Sequence, residues 1–242
     1  MIPLRIIPVL DIMNRVVVHA VRGEREKYKP LTNSAIVPSC DPIEVARTLK
    51  EKFGFNEIYI ADLDCITRGS KQNFDLIEKI AKMGIKTYVD IGIRTVDDAL
   101  LLFNIGVDKV IVATETLTYV GLIEEVSNTL GKEHTVLSLD IKENTILSEN
   151  PQICGSEPCL IAKRLSKFVS EIIAIDLGRV GTLEGVNLKL ARNLVECSRE
   201  PVIFGGGIKS MDDLMRLKQI GVSGVLLASA LHKGVINAVP TV

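Results

Sequence analysis

DIGIRTVDDALLLFNIGVDKVIVAT, residues 90–114, is written a second time as GGGIKSMDDLMRLKQIGVSGVLLAS at residues 205–229. An offset of 115 sets Gly92 on Gly207, Asp97-Asp98 on Asp212-Asp213, Gly106 on Gly221 and Ala113 on Ala228. Each copy runs from a polar, helix-like start through a glycine stop into a short apolar run rich in Ile and Val, which is the pattern of a βα unit. At an offset of 114, ADLD (61–64) lies over IDLG (175–178) and Asn73 over Asn187; PVLDI (8–12) echoes LSLDI (137–141).

Extending this rhythm along the chain predicts eight strands, near 5–11, 57–63, 86–91, 108–113, 135–140, 171–177, 201–205 and 223–228. Between them DPIEVARTLKEKFG reads as a helix with Asp41 as N-cap, Pro42 in its first turn and Gly54 as its stop. NFDLIEKIAKMG is read in the same way, from Asn73 to Gly84. Two four-unit halves closing on each other make an α/β fold of the (β/α)8 TIM-barrel type, and the 242 residues suit such a barrel without remainder. No Pro/Gly/Ser-rich linker divides them. A single domain over 1–242 is expected, with half barrels of approximately 1–120 and 121–242.

Composition narrows the functions. With 29 Lys+Arg against 30 Asp+Glu there is no overall field to draw in nucleic acid or an anionic membrane. The opening MIPLRIIPVLDIM lacks the basic and small-residue parts of a signal peptide, and no run approaches a membrane span. A soluble cytoplasmic protein is expected. Cys40, Cys65, Cys154, Cys159 and Cys197 are odd in number and scattered, unlike a secreted disulfide framework. Ordinary thiols are expected, with a Cys154–Cys159 bridge as the alternative. His19, His134 and His232 lie far apart in sequence, and no metal site is expected.

In a βα barrel the chemistry gathers at the carboxyl ends of the strands. Here those ends carry carboxylates and small residues. Gly205, Gly206, Gly207, Ala228 and Ser229, after strands 7 and 8, read as a phosphate cradle, because glycine lets backbone N–H groups approach an anion. Gly92, Arg94, Ala113 and Thr114 are the matching set in the first half, but Asp90 and Ile91 stand where the later copy has Gly205 and Gly206, and an anionic side chain repels a dianion. Asp11 and Asp140 end opposing strands, an arrangement suited to acid–base work by one protonated and one ionised carboxyl. Loops or caps could claim either residue instead. The long first loop, 14–38, brings Arg22, Arg25, Lys27, Tyr28 and Lys29 beside Gly23, and reads either as a lid over a phosphorylated substrate or as a solvated basic stretch.

IIPVLDI, IADLD, GIRTVDDA, LSLDIK, GTLEGVN and FGGGIKS occur in an order and spacing that resembles the histidine-biosynthesis barrel family. That family includes the phosphoribosylformimino-aminoimidazole-carboxamide ribotide (ProFAR) isomerase and the cyclase subunit of imidazole glycerol phosphate synthase. The isomerase is the nearer match. The resemblance implies an aldose–ketose (Amadori-type) isomerisation of a small phosphorylated, phosphoribosyl-type substrate, without metal or cofactor, in which Asp11 is the base. It departs from the pattern in three places. Val180 stands where the family carries an aspartate that serves as acid, leaving that role to Asp140 or Asp176. One glycine triplet is reduced to Asp90-Ile91-Gly92. No tryptophan exists to stack on the substrate ring. A divergent paralogue in another biosynthesis, for example of a one-carbon cofactor, and a non-catalytic phosphate-ligand binding protein are the alternatives.

Overall fold

The computed structural model describes residues 3–237 and 239–241. Eight parallel strands alternate with helices: β1 (Arg5–Met13), β2 (Glu57–Asp62), β3 (Lys86–Asp90), β4 (Lys109–Ala113), β5 (Thr135–Lys142), β6 (Glu171–Asp176), β7 (Val202–Gly205) and β8 (Gly224–Leu227). Neighbours pair in chain order and β8 returns to β1, with Arg5 opposite Gly224 and Pro8 opposite Leu227, so the sheet closes into a TIM barrel. Val16–His19 folds back antiparallel on β1, Lys29–Pro30 adds to it, and Thr145–Ile146 folds back on β5.

Strand alternation sorts the side chains. Ile7 on β1, Tyr59 and Ala61 on β2, Tyr88 on β3, Val136 on β5, Ile173 on β6 and Ile203 on β7 form one buried cluster inside the barrel. Residues of the other parity, such as Leu10, Ile60, Val89, Leu139, Ile172 and Phe204, join the larger core between strands and helices. This is the period of two expected of a pleated strand. At the amino end of the strands the same inward positions carry an ion network. Arg5 pairs with Glu57 (3.0 Å) and with Glu171, and the Tyr88 hydroxyl donates to Glu171 (2.8 Å).

Helix ends follow local chemistry. Asp41 accepts from the Glu44 N–H at the start of α1 (Pro42–Phe53), and Gly54 closes it at φ 72°. The short α2 (Leu63–Arg68) precedes α3, which begins after Asn73 but covers only Phe74–Ala81, stopping short of Gly84. Asn73 does not cap it. Its amide is drawn instead to Asp62 (2.7 Å) and Asp64 (2.9 Å). The two halves repeat in detail at α4 (Val96–Asn104) and, beyond α5 (Leu122–Leu130), α6 (Pro158–Leu165) and α7 (Leu188–Cys197), at α8 (Met211–Ile220). The Thr95 hydroxyl accepts from Asp98 N–H, and Ser210 from Asp213 N–H, both at 3.2 Å; Asp98 and Asp213 in turn accept from the N–H groups of Arg94 and Lys209.

The cysteine reading is corrected. Cys159 on α6 bonds to Cys197 at the end of α7, with Cα atoms 5.9 Å apart, whereas Cys154 is a free, exposed thiol. Helices α6 and α7 pack side by side around β6, so residues far apart in sequence become neighbours. No helix of the described residues is long and apolar enough to cross a membrane.

Candidate active site

Continuing the inward parity to the carboxyl ends of the strands brings Asp11 from β1, Asp90 from β3 and Asp140 from β5 to one cavity. Asp90 and Asp140 are buried (6% and 4% exposed), and Tyr59 lies among them at 3%. Burial makes the charged form of each carboxyl costly. It lifts Asp11 to about 7 against a lowering by the nearby Arg25 guanidinium, and lifts Asp90 to about 7 despite the Gly92 N–H that favours its anion. Asp140 is pushed well up by burial first and then by its neighbours Asp90 and Glu115. Its Oδ2 accepts from the Glu115 N–H (3.0 Å) and the Thr114 hydroxyl (3.4 Å).

Asp176 takes the other parity. Its carboxylate pairs with Arg179 Nε (3.3 Å) and is hydrogen-bonded by Asn187. Asp62, its mate in the first half, accepts from Asn73 in the same manner. Both are latches between a strand end and the following helix, and Asp176 does not join Asp11 and Asp140. Val180 lines the cavity as an apolar wall.

Gly205, Gly206, Gly207, Ala228 and Ser229 all line this cavity, beside Asp11. Gly206 and Gly207 adopt φ of 109° and 80°. A Cβ on them would lie 2.6 Å from the Asp176 carbonyl oxygen and 2.4 Å from that of Gly185, so close packing against the loop after β6 also demands glycine there. His19 Nδ1 stands 3.5 Å from the Ser229 hydroxyl.

The matching set in the first half is tied up within the chain. Asp90 Oδ1 accepts the Gly92 N–H at 2.8 Å. Arg94 donates to the carbonyls of Gly92 (3.1 Å) and Ile66 (3.3 Å) and pairs with Glu149 (3.0 Å). The Thr114 hydroxyl accepts from Asp140 N–H (2.9 Å), and both Thr114 and Ala113 are buried.

The first loop lies across the mouth. Arg25 Nη2 reaches both oxygens of Glu115, and the Arg22 N–H donates to the Val180 carbonyl (2.9 Å). Gly23, Arg25 and Tyr28 face the cavity, while Arg22 pairs with Glu184, Lys27 pairs with Glu24 at the surface and Lys29 is exposed. Among the described lining residues the ionisable groups with acid or basic side chains are therefore the carboxyls of Asp11, Asp90, Glu115 and Asp140 and a single cation, Arg25. No cluster of His, Cys, Asp and Glu among the described residues is placed to hold a metal ion. Tyr59, Glu115 and the inward course of Asp90 escaped the sequence reading, although strand parity alone was enough to find Asp90 and Tyr59.

The model of the histidine biosynthesis protein family matches residues 5–237. An uncharacterized protein of Methanocaldococcus jannaschii is 38% identical over 97% of this chain and 96% of its own. A 1-(5-phosphoribosyl)-5-((5-phosphoribosylamino)methylideneamino) imidazole-4-carboxamide isomerase of Methanosarcina barkeri is 33% identical over 95% of this chain and 93% of its own. The isomerase of that name from Methanocaldococcus jannaschii is 30% identical over 96% and 95%. One organism thus holds two relatives, and the one more similar to this chain is not the one named as the isomerase.

Proposed function

The chain belongs to the histidine biosynthesis protein family, and we propose that it is an acid–base isomerase that converts a phosphorylated aldosylamine into the corresponding aminoketose. The observation that carries this reading is the placement of Asp11 and Asp140, inward-facing on β1 and β5, around a cavity whose wall is the glycine cradle after β7 and β8.

Environment separates the two carboxyls into roles. Asp140, pushed well up by burial and by Asp90 and Glu115, serves as the acid; Asp11, near 7, is ionised in a large share of molecules at neutral pH and serves as the base. Asp140 protonates the ring oxygen, the C1–O bond breaks and the nitrogen lone pair forms C=N. Asp11 then removes the C2 proton, and the electrons move to nitrogen to give the enaminol. Return of a proton to C1 and loss of one from the C2 hydroxyl give the ketone, with no atom gained or lost. The cradle at Gly205–Gly207 and Ser229 anchors the phosphate.

Two observations favour a paralogue of the named isomerases over the same activity. Val180 removes the family acid, and the Methanocaldococcus jannaschii pair of relatives divides in the same sense. The test is NMR in D2O with ProFAR and with aldosylamines of ribose 5-phosphate. Ketose carrying deuterium from solvent, absent with Asp11→Asn, is the expected result. Folded protein that binds phosphate yet neither isomerises nor exchanges the C2 proton of any of these overturns the reading in favour of a binding protein.

A further inference from the structure

We propose that Asp90 makes this a one-phosphate site, and that the substrate carries its phosphate at the β7/β8 cradle and a nitrogen donor, cationic when protonated, at the β3/β4 end. The inference rests on the reading of the cavity as a substrate site, but not on the reaction performed there.

The two poles of the barrel mouth are related by the internal repeat, so each residue of one has a counterpart in the other. Asp90 matches Gly205, Gly92 matches Gly207, and Thr114 matches Ser229. At the second pole the glycines and Ser229 open on the cavity. At the first, the Asp90 carboxylate occupies the Gly92 N–H that would face a phosphate oxygen. The nearest basic residue in sequence, Arg94, is turned away by two backbone carbonyls and Glu149. The Thr114 hydroxyl both accepts from Asp140 N–H and donates to Asp140 Oδ2, whereas its mate Ser229 lines the cavity.

One carboxylate has therefore done two things. It has satisfied from within the chain the donor that an anion needs, and it has placed a negative group where the second phosphate of a bisphosphate would lie. Tyr59 donates to Asp90, and Glu115 stands beside it on the same wall. Arg25 is already held by Glu115. A ligand group entering here meets acceptors from two strands, and an amine or similar nitrogen donor completes them. Such a substrate is smaller at this end than the bisphosphate of the named isomerases, consistent with the absence of tryptophan to stack on a ring.

The experiment is calorimetric, with inorganic phosphate and with matched ω-aminoalkyl phosphates and α,ω-alkane bisphosphates of equal chain length. Wild type is expected to bind one phosphate per chain and to prefer the aminoalkyl phosphate by about tenfold or more. Asp90→Gly is expected to gain a second phosphate and reverse that preference, a gain that misfolding cannot imitate. Asp90→Asn keeps one phosphate but loses the preference, and Ser229→Glu loses the phosphate. Two phosphates bound by wild type, none bound, a wild-type preference for bisphosphate, or an Asp90→Gly protein unchanged in both respects overturns the proposal. Each readout is binding alone, so failure of the isomerase reading in D2O leaves it intact.

Discussion

Arg25 and Glu115, 90 residues apart, are joined by one guanidinium nitrogen that reaches both carboxylate oxygens, at 2.7 and 2.8 Å. The pair ties the first loop to the end of β4 over the barrel mouth. It also acts on both carboxyls, since Arg25 lowers Asp11 while Glu115 raises Asp140. Replacing Arg25 by Met removes both the strap and the cation. Affinity for phosphorylated substrate is expected to fall about fivefold, as loss of roughly 1 kcal/mol implies. The ascending limb of the pH profile is expected to move to higher pH, since Asp11 loses the charge that favours its anion. A profile that stays in place while KM rises would limit Arg25 to a mechanical role.

In the proposed isomerisation the base must be ionised to act. Turnover at limiting substrate is therefore expected to rise with pH through about 7, the value to which burial lifts Asp11. Asp11→Asn is expected to lower kcat by about 10²- to 10⁴-fold, the range for removal of a general base, with phosphate binding nearly unchanged. Asp140→Asn removes the proton donor and is expected to lower kcat on the same scale. A pH profile flat between 5 and 8 at limiting substrate would remove Asp11 from the base role.

The bridge between Cys159 and Cys197 ties α6 to α7, closing a separation of 38 residues. Peptide mapping without reductant is expected to recover these two cysteines joined, and Cys40, Cys65 and Cys154 free. Cys197→Ser is expected to lower stability by about 2–4 kcal/mol, read as a denaturant midpoint that reductant no longer moves. Wild type insensitive to reductant would show that the bridge does not stabilise the fold.

The barrel was legible because the repeat puts glycines, acidic caps and apolar runs in matching order, and each is fixed by local chemistry. Side-chain direction was less so. Asp140 and Asp176 both lie near the ends of strands in an LD or ID sequence, but Asp140 shares the inward parity of Val136 and Asp176 the outward parity of Ile172. Counting alternate positions back from each end separates them; the motif does not. Asn73 looked like a helix cap because it precedes an amphipathic segment, yet Asp62 and Asp64 offer its amide two buried acceptors. The Cys159–Cys197 contact comes from the packing of neighbouring helices and leaves no trace in local spacing.

Asp176 is accordingly expected to act through the fold. Asp176→Asn keeps a hydrogen-bonding group beside Asn187 but loses the ion pair with Arg179, so stability is expected to fall by about 1 kcal/mol or less for this partly exposed pair. The pH profile is expected to stay where wild type has it. Loss of turnover equal to that of Asp140→Asn, at unchanged stability, would return Asp176 to the chemistry.

Asp90 offers the sharpest separation of function from stability. Its carboxyl is raised from 3.8 to about 7, so between those values the folded chain holds a proton that the unfolded chain has released. The stability contribution of the buried neutral acid is therefore complete below about 4 and is lost as pH rises through about 7. Three pH units correspond to about 4 kcal/mol as an upper bound. Asparagine keeps the acceptor for the Gly92 N–H and carries no charge to bury. Asp90→Asn is expected to match wild type in melting temperature near pH 4 and to exceed it at pH 8, by a few degrees for a chain of this length. Equal melting temperatures at both pH values would mean that Asp90 is solvated well enough to ionise without cost. A variant that is more stable at pH 8 yet no longer prefers a nitrogen donor would show a carboxylate kept at a cost in stability for what it binds.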